Sequence, residues 1–539
     1  MSSHRYGARF ARNIRATTAP EGISLEGDKD MVQAYGVAAR FAPPLAGERG
    51  WPAYWTALGQ PWRTEPEISP ERQAMLRGRR AARIDIARGV FPFASVRLSR
   101  ADIEWLLATH DGGRGPVDWR DSAQRERRGL DLRGADLREA KLGGLPLART
   151  LASLSHDAWL AASPDVRAQA IAQLAGADLS HAQLDGALLC GARLAGADLS
   201  SASLTRAQLF GARLEGAVLA AANLRRADLR GAQLDGANLA RTRLDRAALR
   251  GASLVGASLA GAVAERVNLS EASLEQADLS VLVARKANLW AARLSGATLF
   301  WAHLEGANLN EAHLEGSTLE GAHLSGAQLG NAHLEGANLG FADLTGCVLA
   351  GAALHGARLY GADLSAANLS GAHLEGFAPA PAELGALRRW CPELPAVLPP
   401  ADLRLALFSF ATDLDEIHLG EARYGYVTVA DTLWETASLA GVRWAAVTEL
   451  GDERLARETY SASGTRKTAA ELLEDLRAAI RAYEQLAEVL QRQGLVTDAA
   501  RFVRRAQTLR KGAALREGIQ RFHNVRSRAQ ALFHPQLMA

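Results

Sequence analysis

From residue 171 to residue 375 apolar and polar positions alternate with a period of five. The blocks IAQLA, GADLS, HAQLD and GALLC open a run of 41, and the fourth place is Leu in all but two, where Ala264 and Ala284 stand. The second place is Ala in 36 blocks, while the other three places take Asp, Asn, Arg, Gln, Glu, His, Ser and Gly freely. An amphipathic helix repeats every 3.6 residues and a half-buried strand every two, so neither explains the pattern. One large and one very small inward residue per five suits a short straight segment followed by a corner. Four such segments close a square, and the chain then stacks coil on coil as other solenoids do, at the strand spacing of about 4.8 Å. Leu179, Leu199, Leu304, Leu314, Leu324 and Leu334 are predicted core residues. Ala keeps the narrow lumen from being overpacked near the corners. Ala264 and Ala284 fall in one column, one coil apart. Leu282 stands at the usual Ala place beside Ala284 and offers a refill; Ala262 offers none to Ala264. A thin or bent spot is therefore expected at Ala264, relieved in part by Val267.

Outside the run the pattern changes. Residues 1–128 lack the repeat and predict an α-rich cap, with helices after Pro70 and after Ser99. Four blocks over 129–148 predict a first coil, and residues 149–170 a helical insertion in which Ser163 or Asp165 caps the part around Pro164. The main run of 171–375 is followed by a Pro-rich irregular connection over 376–426 and a degenerate coil over 427–450, with Leu439 and Trp444 inward. From 451 to 539 the expectation is a helical hairpin and a basic tail: Leu472, Leu473, Leu476, Ile480, Tyr483 and Leu486 share a face, Gly494 ends that helix, and a second begins at Asp498.

Blocks such as GADLS, GANLN and GADLR resemble the pentapeptide repeat proteins. The resemblance implies a mainly β fold, a right-handed quadrilateral β-helix of four pentapeptides per coil, here with α-helical N- and C-terminal regions. It extends to the front region, where PWRTEPEISPERQ and FPFASVRLSRADIEWLLATHDGG are similar to the start of long bacterial members. It also implies partners. Some proteins of this family mimic duplex DNA and bind DNA gyrase, some dimerise end to end, and in longer relatives a helical tail of this kind precedes membrane spans. The last of these leaves a membrane-associated sensor fragment as an alternative, although the sequence ends at HPQLMA with no such span.

Charge narrows those expectations. The 539 residues carry a net charge of only +3, but residues 190–299 hold 14 Lys or Arg, while residues 300–375 hold one, Arg358, against eight Asp or Glu. A DNA mimic for gyrase needs an acidic surface along its length, and this rod is acidic over one end only. The segment 501–528 is basic, which a solvated helix face or contact with an anionic surface would both explain. Cys190, Cys347 and Cys391 are scattered and odd in number, so neither a disulfide framework nor a zinc motif is expected, and a cytoplasmic setting fits. The N-terminal stretch with Arg9, Arg12 and Arg15 has no apolar core of a secretory signal. No stretch has the roughly 18–20 apolar residues of a transmembrane helix.

Two outward features are candidate sites. His303 and His323 stack in one column, and His313 and His333 stack on the opposite face, with His373 further along. Each column offers two adjacent imidazoles where a stable zinc site wants three or four ligands. Glu305, Glu315 and Glu335 belong to a different outward row, so polar ladders are expected and no metal. Phe300 and Tyr360 share one column and Trp301 and Phe341 the next, which gathers the rod's aromatics on one strip, a partner surface unless the flanking regions cover it. SGTRKT over 463–468 lacks the spacing of a phosphate loop, and no HExxH or GxSxG occurs. The expectation is a non-enzymatic protein–protein interaction scaffold without cofactor or small-molecule substrate.

Overall fold

The computed structural model describes residues 43–44, 50–390, 396–398, 401–408, 412, 414, 417, 419–421, 425–434, 437–461 and 465–532; side chains 383, 386–387, 389–390, 420–421, 425 and 519–532 are not placed. Cys391, the arginines of the first 20 residues and the end of the basic tail lie outside these. The chain divides into two compact units, Met1–Pro66 and Glu67–Ala539.

In the first unit, helix α1 (Trp51–Ala57) carries a ring cluster. Trp51 and Trp55 stack at 5.7 Å, and the Arg63 guanidinium lies 3.5 Å over the Trp55 ring.

The second unit is built on the stack. Third-place residues form parallel bridges to the residue 20 positions on, from Gln173–Arg193 through Ala353–His373, four per coil. Each coil is thus four-sided. The fourth-place N–H donates forward and the third-place N–H backward, as in Leu324 N to Asp343 O (2.8 Å) and His323 N to Ala302 O (2.8 Å). Corners need the left-handed backbone: first-place residues hold φ near +60°, Gly or not, among them Trp301 (+53°) and Phe341 (+57°). Third-place Asp or Asn tightens the turn by accepting the N–H two residues on, as Asp343 does from Thr345 at 3.0 Å.

The six predicted core leucines are all fully buried. Where the second place carries a hydroxyl, it finds a carbonyl: Thr242 Oγ1 donates to Leu239 O at 2.7 Å and Ser317 Oγ to Leu314 O at 2.7 Å. At Ala264 the expected bend is absent, and the ladder is as regular there as at Ala284. Ala264 N to Val283 O is 2.7 Å and Ala284 N to His303 O is 2.8 Å, the lengths found elsewhere in the ladder. The hydrogen bonds fix the coil spacing, so the missing side-chain volume is not recovered by backbone movement.

Among the described residues three detours leave the stack. Leu151 still bridges Leu188, so the coil runs beyond 148 and the interruption is shorter than the expected 149–170. That bridge spans 37 residues instead of 20; the extra 17 carry α4 (His156–Ala161) and α5 (Pro164–Ala170), the latter capped by Ser163. The bridges Arg358–Asp402 and Asp363–Leu407 span 44, and the 24 extra residues include α6 (Pro381–Trp390). The expected irregular connection over 376–426 therefore contains a further coil, with Ala401, Leu403, Ala406 and Phe408 inward. Asp402–Thr428 spans 26, and the antiparallel pair β1 (Gly420–Glu421) and β2 (Gly425–Tyr426) lies in that detour.

Helices close both ends. At the front, α2 (Pro70–Ala81) and α3 (Arg100–Ala108) precede the first coil, and α3 starts on a capping box of Ser99 and Asp102. Asp102 also ties α2 to α3 through Arg72 at 2.8 Å. At the rear are α7 (Gly451–Arg457), α8 (Ala469–Arg492) and α9 (Val496–Leu532), the last starting two residues before the expected Asp498. The last coil has no coil after it to pair with, and side chains serve instead. Asp452 accepts Val429 N and Ala430 N, Gln485 accepts Asp431 N, and Gln493 bonds both Leu439 N and Ala437 O.

Candidate functional site

The corner between the 318/338/358 face and the 303/323/343 face carries the aromatics. Trp301 stacks on Val281, because Val281 N donates to Phe300 O, and Leu405 follows Gly361 in the same row, because Gly361 N donates to Arg404 O. Phe300 and Trp301 meet edge to face at 6.1 Å, as do Phe341 and Tyr360 at 5.4 Å. Exposure is 41% for Phe300, 48% for Trp301, 59% for Phe341 and 37% for Tyr360; Val281 and Leu405 are exposed as well. Among the described residues no flanking segment covers this strip. Glycines make room for the rings. A Cβ at Gly321 would lie 2.8 Å from the Trp301 indole, and one at Gly361 would lie 2.7 Å from the Phe341 ring. Trp301 and Phe341 therefore each rest across the corner of the next coil. Ala is tolerated at the same turn position at Ala221, Ala291 and Ala366, so the glycines at 321 and 361 serve the rings and not only the backbone. Trp290 stands on another corner, over a shallow groove of about 480 Å³ with a floor at Gly330 and Gly351.

The histidines stack as their spacing predicts. His303 and His323 lie 4.5 Å apart at 9°, and His313 and His333 lie 4.7 Å apart at 3°. The glutamates are placed differently from the expectation. The turn after the third place swings the fifth-place side chain back beside the ring, so Nδ1 lies within 2.9 Å of Glu315 at His313, 3.1 Å of Glu305 at His303 and 3.2 Å of Glu335 at His333. His373 repeats the pair with Glu375 at 3.0 Å. The sequence signal for this is the fourfold HLE. Glu315 is buried. Burial pushes its acid upward, but bonds from His313 and from Ser295 (2.6 Å) outweigh that and hold it below the ordinary glutamate range.

A half-open pocket of about 430 Å³ lies where the α4 detour leaves the stack, lined by Leu151, Leu154, Ile84 and the arginines 128, 133 and 149. Arg133 is already committed to Asp131 at 2.5 Å. Cys190 and Cys347 are free and buried, and burial pushes both thiols up to about 12, far from a reactive thiolate. Among the described residues no helix is long and apolar enough to cross a membrane.

The profile of the family described as Pentapeptide repeats matches the chain in eight copies between residues 172 and 376. Among solved structures, HetL, a pentapeptide repeat protein involved in heterocyst differentiation regulation from Nostoc sp. strain PCC 7120, is 33% identical over 46% of this chain and 91% of its own, with a TM-score of 0.22. QnrB1, a plasmid-mediated fluoroquinolone resistance protein, is 21% identical over 43% of this chain and 88% of its own, at 0.16. Rfr23, a pentapeptide repeat protein from the cyanobacterium Cyanothece 51142, is 20% identical over 32% of this chain and 91% of its own, at 0.11. No curated protein matches.

Proposed function

The chain belongs to the pentapeptide repeat family, with its right-handed β-helix type of fold, and from that premise we propose that it is a non-catalytic scaffold that binds a protein partner through the aromatic corner. The observation that carries this reading is the exposure of Phe300, Trp301, Phe341 and Tyr360 along one strip flanked by Val281 and Leu405. Monomeric proteins rarely leave such patches uncovered, and aromatic anchors dominate binding energy at interfaces. Rigidity adds to it: each ring sits on a backbone bonded on both sides to neighbouring coils, so little conformational entropy is lost on association. Catalysis finds no support in Cys190 and Cys347, whose thiols are buried and un-ionised at neutral pH; these free thiols also favour a reducing, cytoplasmic setting.

The test compares the full chain with its Trp301→Glu/Phe341→Glu variant in pull-downs from host lysate, followed by titration of the purified partner. Both side chains point outward, so the melting transition should hold while one partner is lost. Recovery of the same proteins by both would remove the aromatic corner as the binding site.

A further inference from the structure

We propose that His313, Glu315 and His333, with Glu335 beside them, form a binding site for one divalent transition-metal ion of zinc's character. One donor atom from each of His313, Glu315 and His333 lies within 4.8 Å of the other two. Two imidazole nitrogens and carboxylate oxygen are a donor set that zinc and its neighbours accept.

The geometry comes from the fold. The two rings are parallel to within 3°, so their Nδ1 edges face the same corner, and each finds its own glutamate there. Two His–Glu half-sites are thus stacked one coil apart. Metal–ligand bonds of about 2.0–2.1 Å place neighbouring donors of a tetrahedral site roughly 3.3 Å apart. The His313–Glu315 and His333–Glu335 separations of 2.9 and 3.2 Å are close to that already. Parallel rings 4.7 Å apart aim their lone pairs side by side, so closing the remaining span requires the two half-exposed histidines to tilt toward each other about their side-chain torsions. On binding, the ion takes the Nδ1 lone pair of each ring while the ring proton moves to Nε2.

Three further features favour an ion. Glu315 is held in place by Ser295 Oγ at 2.6 Å, the outer contact that orients a metal-binding carboxylate. Glu335 Oε2, like Glu305 Oε2 in the other column, is shielded from solvent and has no hydrogen-bond partner, and a cation at this site would satisfy it. The charge balance also fits, since two carboxylates neutralise a divalent ion. The guanidinium next below in this column, Arg293, is turned away to Glu275 at 2.6 Å.

The opposite column provides an internal contrast. His323 is followed two residues on by Ser325, not a glutamate, and its ring leans on Trp301 at 5.9 Å. Glu305 is shared with Arg285 at 3.4 Å, a cation already in place.

Zinc chloride titrated calorimetrically into the full chain should bind at one ion per chain with a micromolar or tighter Kd. Cobalt(II) should give the intense visible bands of a tetrahedral inner-sphere site. His333→Ala should weaken binding by about 100-fold or more, since loss of a mere outer-shell partner already costs 10–100-fold, and His303→Ala should change it less than about 2-fold. Both residues face outward, and circular dichroism verifies that each variant keeps the fold. Absence of zinc binding, absence of tetrahedral cobalt bands, or equal weakening by the two variants would overturn the site.

Discussion

Ala264 and Ala284 test whether hydrogen bonds or side chains set the dimensions of the stack. Both stand where Leu stands in 39 other blocks, both are fully buried, and the N–H···O bonds above them keep their ordinary lengths of 2.7 and 2.8 Å. Two leucine side chains are missing from a column whose height did not shrink. Beside Ala284 the second place is Leu282, itself buried, which occupies the lumen at that coil. Beside Ala264 the second place is Ala262, and only the buried Val267 at the next corner adds volume, so that column is filled less than at Ala284. Ala264→Leu adds three carbons, worth up to about 2.4 kcal/mol at roughly 0.8 per buried methylene. Ordering the new side chain takes back about 0.5–1 kcal/mol. A net stabilisation of up to about 1.4–1.9 kcal/mol is expected. Ala284→Leu puts a second large side chain where Leu282 already lies, and overpacking should destabilise by about 1–3 kcal/mol. Urea unfolding followed by far-UV circular dichroism reads the global effect. Amide exchange over residues 259–289 reads the local one, which matters because a solenoid's coils need not unfold as one unit. The opposite signs are the point of the experiment. Two changes of the same sign would refute the idea that the coil spacing is fixed and that Leu282 does the refilling.

The rear cap yields two more predictions. Glu453, 2% exposed at its side chain, accepts Tyr483 Oη at 2.8 Å and Arg505 Nε at 2.7 Å and also pairs with Arg457. Removing one member of a buried pair costs about 3–5 kcal/mol; both arginines here are partly exposed and rehydrate, so Glu453→Gln should cost about 2–3 kcal/mol, seen as earlier proteolysis of α8 and α9 with the main stack intact, and an unchanged cleavage rate would refute it. Asp452 is buried, and burial pushes its carboxyl up to about 6 despite the N–H donors of Val429 and Ala430. The folded state then binds the proton more tightly than the unfolded one, so this contribution is complete below about pH 4 and is lost as pH rises through 6, on the order of 2–3 kcal/mol. Asp452→Asn should flatten that slope in amide exchange of the last coil between pH 4.5 and 7.5; an unaltered slope would show that Asp452 does not titrate there.

The repeat was legible because its signal is redundant: each coil restates the inward Leu and Ala, and a single substitution such as Ala264 cannot hide the period. The stacking of His313 on His333 was legible for the same reason, since a 20-residue coil follows from four blocks of five. What the period could not supply was the path around a corner. Counting places puts Glu315 in a different outward row from His313, yet the path of the chain around the corner sets its carboxylate beside the third-place ring, at 2.9 Å. The coil through Ala401, Leu403, Ala406 and Phe408 escaped for another reason. Its blocks PADLR and LALFS keep the inward pair, but a 24-residue detour and a Phe in place of Leu break the phase that made the repeat visible. Phase is a property of the chain, whereas stacking is a property of the bridges. A detour of any length leaves the stack intact so long as the next block returns to the same column, as Asp402 does on Arg358. Function follows the columns in the same way. Trp301 and Phe341 are 40 residues apart and separated by a coil that offers Gly321 in their row, so the aromatic strip exists only where small residues let each ring lie across its neighbour.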